Sequence, residues 1–152
     1  MKIYLVGGGT GGHFFPIIAV ARALREIAEQ EKMVSLNLIY AAPEPYDKTL
    51  LLQEDIKYRY IPAGKSRRYF SFLNFFDLFK TGFGFLIAVW RVFLDFPDVI
   101  FSKGGYASFP ILLAARIFGI PLIIHESDLA PGRVNDWSKK FAERIAISFA
   151  ES

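Results

Sequence analysis

Short unbroken apolar runs recur along the chain at Ile3 to Val6, Leu36 to Ala41, Val99 to Phe101, Leu122 to Ile124 and Ile145 to Ile147. None alternates apolar with polar residues, which is how strands covered on both faces read. Between the first two runs, Ile17, Val20, Ala21, Leu24, Ile27 and Ala28 return at three- and four-residue steps, with Arg22, Arg25, Glu26 and Glu29 opposite them. That spacing predicts an amphipathic helix beginning near Phe14. Leu50 to Gln53 predicts a short helix, Ile111 to Phe118 another that stops at Gly119 and Pro121, and Arg133 to Ala142 one more. Strand and helix patterns in alternation predict an α/β domain built on a parallel sheet.

One stretch departs from this rhythm. From Lys57 to Arg68 there are five basic residues (Lys57, Arg59, Lys65, Arg67 and Arg68) and no acidic one, and Phe70, Phe72, Phe75 and Phe76 follow. Phe79, Phe83, Leu86, Ile87, Trp90, Phe93 and Leu94 continue at helical spacing. Only ten residues separate Lys80 from Arg91, and Gly82 and Gly84 interrupt them, whereas a membrane span needs about 20 apolar residues. Two readings stand: a core helix packed on the sheet, or an interfacial helix whose apolar face enters lipid while cations meet anionic headgroups.

Composition moves the choice toward the second. The 152-residue chain is 53% hydrophobic and holds 16 Phe, more than one helix–sheet contact buries. The membrane-facing candidates are Arg67, Arg68, Phe72, Phe75, Phe76, Phe79, Phe83 and Trp90. A net charge of only +3, with aromatics too continuous to alternate with phosphate contacts, speaks against nucleic acid. The length fits one domain. With no Cys, thiolate chemistry is excluded, and two His make too few ligands for an ordinary zinc site. The apolar region at Met1 to Val6 is too short for a signal peptide, so a first strand in the cytoplasm is expected.

The richest chemistry lies in Gly7-Gly8-Gly9-Thr10-Gly11-Gly12-His13, between the first strand and the first helix. Glycines let the backbone approach a ligand closely, and the free N–H groups of the helix start favour an anion. Gly7, Gly9 and Gly12 also fit the dinucleotide fingerprint of a nicotinamide or flavin enzyme, but the acidic residue expected after the second strand is ill placed, Glu44 following Pro43. A loop that needs glycine only for tight packing is the bland alternative. Ser102-Lys103-Gly104-Gly105-Tyr106 follows one later strand and His125-Glu126-Ser127-Asp128 the next. In an open parallel sheet the carboxyl ends of strands face one crevice, so the three turns are expected to converge there. Singly, Gly104-Gly105 reads equally as a helix start, His125 as a hydrogen-bonded core residue, and Asp128 as a cap.

Taken together these residues resemble the N-terminal half of the MurG family of glycosyltransferases. The resemblance is carried by Gly8-Gly9-Thr10-Gly11-Gly12-His13 with Phe15-Pro16 and Ala19-Val20-Ala21, by Gly104-Gly105-Tyr106 with Ser108 and Pro110, and by His125-Glu126 with Pro131-Gly132 and Asn135. It implies the Rossmann-like N-terminal domain of a GT-B enzyme, with helices on both faces of the sheet. It also implies inverting transfer of N-acetylglucosamine from its UDP donor to undecaprenyl-pyrophosphoryl-MurNAc-pentapeptide, at the cytoplasmic face of the membrane. Residues 1–152 would form the acceptor-binding half, with the C-terminal donor-binding domain supplied in cis or in trans. The apolar patch ringed by basic residues that touches the bilayer in the family would here be Lys65 to Leu94, on an anionic surface.

The resemblance assigns roles residue by residue. His13 is the first candidate base, since an ordinary imidazole is largely neutral at cell pH, and Glu126 is the second. Thr10, Gly11 and Gly12 would present N–H and hydroxyl groups to a pyrophosphate, and Lys103, Gly104, Gly105 and Tyr106 would line the acceptor side. Asn135 and Asp128 complete the substrate-binding set. Family members commonly read His-Glu-Gln-Asn where this chain has His125-Glu126-Ser127-Asp128, so an acceptor-only carboxylate stands where an amide contacts the donor sugar. No Asp-x-Asp motif is visible, so no metal or other cofactor is expected in this half. Two other classes stay open: a non-catalytic membrane-recruiting subunit of a split UDP-sugar transferase, resembling the one that builds dolichol-linked chitobiose, and an NAD(P)-binding oxidoreductase domain.

Overall fold

A computed structural model describes residues 1–8, 10–64, 73–128 and 132–148, with the backbone alone described at 73–76 and 78. Lys65, Arg67, Arg68, Phe70 and Phe72 fall outside the described residues, as do the side chains of Phe75 and Phe76. In chain order the elements are β1 (Lys2–Gly7), α1 (Gly11–Gln30), β2 (Asn37–Ala42), α2 (Lys48–Gln53), β3 (Lys57–Tyr60), α3 (Leu73–Asp95), β4 (Val99–Gly104), α4 (Phe109–Phe118), β5 (Leu122–Glu126), α5 (Arg133–Ser138) and β6 (Arg144–Ile147). A single 3-10 turn at Tyr106–Ser108 leads into α4.

The six strands form one parallel sheet in the order β3-β2-β1-β4-β5-β6. The chain therefore runs outward from β1 to β3, crosses back through α3, and runs outward again from β4 to β6. Right-handed crossovers put helices on opposite faces for the two halves. On one face Phe14, Ile17 and Ile18 of α1 and Leu51 of α2 pack on Ile3, Leu5, Leu38 and Tyr40. On the other, α3 and α4 bring Ala88, Val92, Ile111 and Leu112 onto Tyr4, Val6, Ile100 and Ile124, with Val134 and Trp137 of α5 beside them. Strands β1 and β4 are neighbours whose following helices lie on opposite faces, which opens a crevice at their carboxyl ends.

Three elements differ from the sequence expectation. Helix α1 begins at Gly11, three residues before Phe14, because the Thr10 carbonyl accepts from the N–H groups of both His13 and Phe14. Strand β3 was hidden inside the basic stretch. Its Lys57-Tyr58-Arg59-Tyr60 pairs with Ile39 to Ala42 at the sheet edge, where charged residues are tolerated and useful. Helix α5 stops at Ser138, short of Ala142, where the Ser138 carbonyl accepts from both Phe141 and Ala142 and turns the chain toward β6.

The aromatic stripe lies on the outer side of its helix, as an interfacial helix requires and a core helix does not. On α3, Phe79, Phe83, Leu86, Trp90, Phe93 and Leu94 are 54% to 64% exposed, and of the stripe only Ile87 packs against the core. The face that meets the sheet is instead Gly84, Ala88 and Val92, four residues apart, with Ala88 and Val92 fully buried. At about 100° per residue the exposed six span roughly 100° of the helix, and the small-residue face lies diametrically opposite. Gly84 is needed there: a Cβ would run into the carbonyl oxygen of Pro62. Among the described residues no helix is long and apolar enough to cross a membrane.

The far end of α3 is fastened to the sheet by its last residue. The Tyr4 hydroxyl donates to Asp95 at 2.5 Å, Arg59 Nε donates to the same carboxylate at 3.0 Å, and Lys2 Nζ bonds the Asp95 carbonyl. Burial pushes the Asp95 carboxyl up, but the bonds from Arg59 and Tyr4 outweigh it and hold it below the usual aspartate range. Arg59 is thus committed to Asp95 and is not a free cation beside the stripe. Tyr4→Phe is expected to cost about 1–2 kcal/mol, read as a lower denaturant midpoint with an unchanged slope.

Candidate functional site

Three turns meet where β1, β4 and β5 end side by side. A Cβ added at Gly105, after β4, would lie 3.2 Å from both the Gly8 carbonyl oxygen and His13 Nε2. Lys103, on β4, donates from Nζ to the hydroxyl of Ser127, after β5, at 2.7 Å. Gly104 and Gly105 have φ of +86° and +83°, a region costly for side-chain-bearing residues, and this doubled reversal brings the β4 turn across to the glycine loop. The structure brings Thr10, Gly11, Gly12, His13, Lys103, Gly104, Gly105, Tyr106, Glu126 and Asp128 to one rim.

His13 sits at the centre of that rim on the first turn of α1. Its Nδ1 is 2.9 Å from the Thr10 hydroxyl, and that hydroxyl does not cap the helix. The first N–H groups of α1 thus remain available to a ligand at the positive end of the helix. Burial pulls the His13 imidazole below its ordinary value, the Lys103 charge lowers it further, and the carboxylates of Asp128 and Glu126 oppose both. His13 is therefore neutral at cell pH. In the tautomer whose Nδ1–H donates to the Thr10 hydroxyl, the Nε2 lone pair is the basic one.

Glu126 has a different situation. It is buried, and one carboxylate oxygen accepts from the backbone N–H groups of Ser127 and Asp128 while the other accepts from Gly132 N–H and Asn135 Nδ2, all within 2.9 to 3.1 Å. Burial raises its carboxyl, but the bonds from Asn135, Gly132, Asp128 and Ser127 together hold it below the usual glutamate range. Four donors meet its two oxygens, an arrangement that shapes the turn. Asn135 is buried too. Its amide nitrogen serves Glu126 and the His125 carbonyl, and its oxygen lies 2.6 Å from where a Gly104 Cβ would stand. It braces the β4 and β5 turns from behind.

His125 points to the opposite face of the sheet from Glu126, stacked on Phe101 with ring centroids 6.3 Å apart and Nε2 3.2 Å from Ser148 Oγ. Two features of the rim escaped the sequence reading. Ser127 was noted only as a departure from a family pattern, yet it holds the Lys103 ammonium. Phe15 and Tyr46, both exposed, stack edge-on at 5.7 Å beside Gly11. Asp77, near the start of α3, lies close enough to Tyr106 for its charge to help raise the phenol, after burial and Glu44. The exposed stripe of α3 thus starts beside the rim.

A family model for the glycosyltransferase family 28 N-terminal domain matches residues 3–147. The chain belongs to that family. This family 28 domain is 38% identical over 151 residues to the UDP-N-acetylglucosamine–N-acetylmuramyl-(pentapeptide) pyrophosphoryl-undecaprenol N-acetylglucosamine transferase of Clostridium kluyveri, covering 99% of the chain and 41% of the relative. The enzyme of the same name from Treponema denticola is 41% identical over 157 residues, with 99% and 39% covered. The domain therefore spans about 40% of the length of these relatives. Among solved structures it superposes on Acinetobacter baumannii MurG with a TM-score of 0.78 at 25% identity, covering 99% of this chain and 42% of that one. A UDP-N-acetylglucosamine 2-epimerase from Methanocaldococcus jannaschii shares the fold, with a TM-score of 0.64 at 15% identity. The Rossmann-like N-terminal domain expected from the sequence is the one observed. Membership of a glycosyltransferase family favours the sugar-transfer reading of the glycine loop over the dinucleotide one.

Proposed function

We propose that this domain is the acceptor-binding half of an inverting transferase that moves N-acetylglucosamine from UDP-N-acetylglucosamine to undecaprenyl-pyrophosphoryl-MurNAc-pentapeptide. The donor-binding half is supplied in cis or in trans. The observation that carries this reading is the convergence of the three turns around His13, with Gly105 in reach of Nε2. In the reaction, His13 Nε2 takes the proton of the acceptor hydroxyl as its oxygen forms a bond to the sugar's anomeric carbon. The bond from that carbon to the UDP oxygen breaks, and the electron pair leaves on the diphosphate, which inverts the centre. Thr10, Gly11 and Gly12 with Lys103, Gly104, Gly105 and Tyr106 hold the acceptor. Asp128 faces the donor sugar, and Glu126 and Asn135 position the turn that carries it.

The test joins this chain to the donor-binding half of a relative and measures transfer from UDP-N-acetylglucosamine to a lipid-linked MurNAc acceptor. Transfer with inversion supports the reading. A well-folded fusion that transfers nothing, or an isolated domain that binds NAD(P), overturns it.

The same reading makes α3 a peripheral membrane contact at the cytoplasmic face. Its exposed aromatic stripe supports this, with Lys80 and Arg91 exposed on one flank. Replacing Phe79, Phe83 and Trp90 together by Ser is expected to weaken co-sedimentation with anionic vesicles at least about tenfold, because each buried aromatic is worth about 1.5–3 kcal/mol. The unfolding midpoint should move far less than the binding, since these side chains are more than half exposed. Unchanged vesicle binding would remove the stripe from the membrane.

A further inference from the structure

The most unusual charge at the rim is Lys103. It is only 4% exposed, yet its ammonium is held by a neutral hydroxyl, that of Ser127. Among the described residues no carboxylate makes an ion pair with it. A buried cation in that state is unfavourable unless an anion joins it. Glu126, on the turn after β5, already accepts four hydrogen bonds, and the nearby Asp128 carboxylate lies 3.5 Å from the Ser127 hydroxyl that holds the ammonium. The other positive feature close by is the start of α1, whose uncapped N–H groups point to the same rim.

The charged groups that face His13 are few and come from two elements: Lys103 from β4, and Asp128 and Glu126 from the end of β5. Lys103 alone among them disfavours the imidazolium, and it also acts on His125. A group that forms a cation during reaction is therefore placed beside a buried cation. That arrangement is poor for the free protein and good once the cation has been neutralised.

Resting on the acceptor-binding reading above, we infer that Lys103 is a sensor of ligand charge: a diphosphate seated on its ammonium cancels the positive field at His13 and readies that imidazole to take the acceptor proton. Lys103 is thus a positioning residue for charge, acting through His13, and it makes the base strong only when an anionic acceptor or donor is present. The ligand chemistry is a diphosphate, and its source is either a prenyl diphosphate or a nucleoside diphosphate.

The test uses this chain and needs no transfer activity. With only two histidines, the His13 ring resonance is assigned by comparison with His125→Asn and titrated by NMR. Saturating geranyl diphosphate or UDP is expected to shift the His13 titration upward. A response to the first assigns the acceptor and a response to the second the donor, and either supports the coupling. Lys103→Met keeps the apolar stem, and in it the His13 titration should start higher and no longer respond, whereas Lys103→Arg should behave as the parent. If Lys103→Met does not fold, the parent and Lys103→Arg titrations still decide. The inference is overturned if neither diphosphate binds, if one binds and leaves His13 unmoved, or if the shift survives in a folded Lys103→Met. A transferase that works without this coupling removes only the inference. A coupling found in a fusion that transfers no sugar removes only the proposed reaction.

Discussion

His13→Ala is expected to lower kcat by about 10²- to 10⁴-fold in the chain joined to its donor-binding half, the range that a positioned general base supplies, with little change in KM. The loss should be one of chemistry and not of folding, because the ring is half-buried and its one hydrogen bond among the described residues is to the exposed Thr10. The pH profile gives the sign. The basic form of His13 is the neutral one, and burial with the Lys103 charge moves its titration below the ordinary 6.5. The kcat/KM profile, which reports the free enzyme, should therefore stay level as pH falls to that value and decline only beneath it, and the residual rate of His13→Ala should lose this acid limb. A variant that keeps full kcat takes His13 out of the reaction.

The second large effect is on stability. Glu126→Ala leaves three backbone N–H groups and the Asn135 amide without their acceptor, and should cost about 2–4 kcal/mol, seen as a lower denaturant midpoint. Glu126→Gln should also destabilise, since an NH2 group would face the donors on Gly132 and Asn135. Because the folded-state carboxyl lies below its ordinary value near 4.5, its contribution is complete above that value and is lost as pH falls through the lowered one. The variant's stability should accordingly depend less on pH in that acid window. If Glu126 were instead the base, Glu126→Gln would abolish transfer while leaving the midpoint in place.

The parallel sheet was readable because strands covered on both faces leave a local mark, and Ile3 to Val6 or Leu122 to Ile124 carry it without help from the rest of the chain. The convergence of the turns followed from strand ends sharing one edge, and Gly105 against His13 bears it out. Composition favoured an exposed aromatic face on α3, but periodicity alone did not orient the helix. Both of its faces are apolar, and periodicity does not say that Gly84, Ala88 and Val92, the smaller side chains, are the ones pressed on the sheet. Edge strand β3 was masked by its charge, which its position at the border allows. The Lys103 to Ser127 bond joins residues 24 apart through the register of two strands, and no local pattern announces such a pair. The twofold role of the His-Glu turn was equally hidden, since adjacent residues in a strand face opposite ways and only coordinates tell which side holds the site.

Because α3 is anchored by its small residues and by Asp95, exposed side chains on its outer side such as Phe83 and Leu86 contribute little to holding the fold. They are free to drift under selection. On the proposed reading, a lineage exchanges them one after another to suit a thinner, stiffer or more acidic bilayer, and the rim behind keeps its shape throughout.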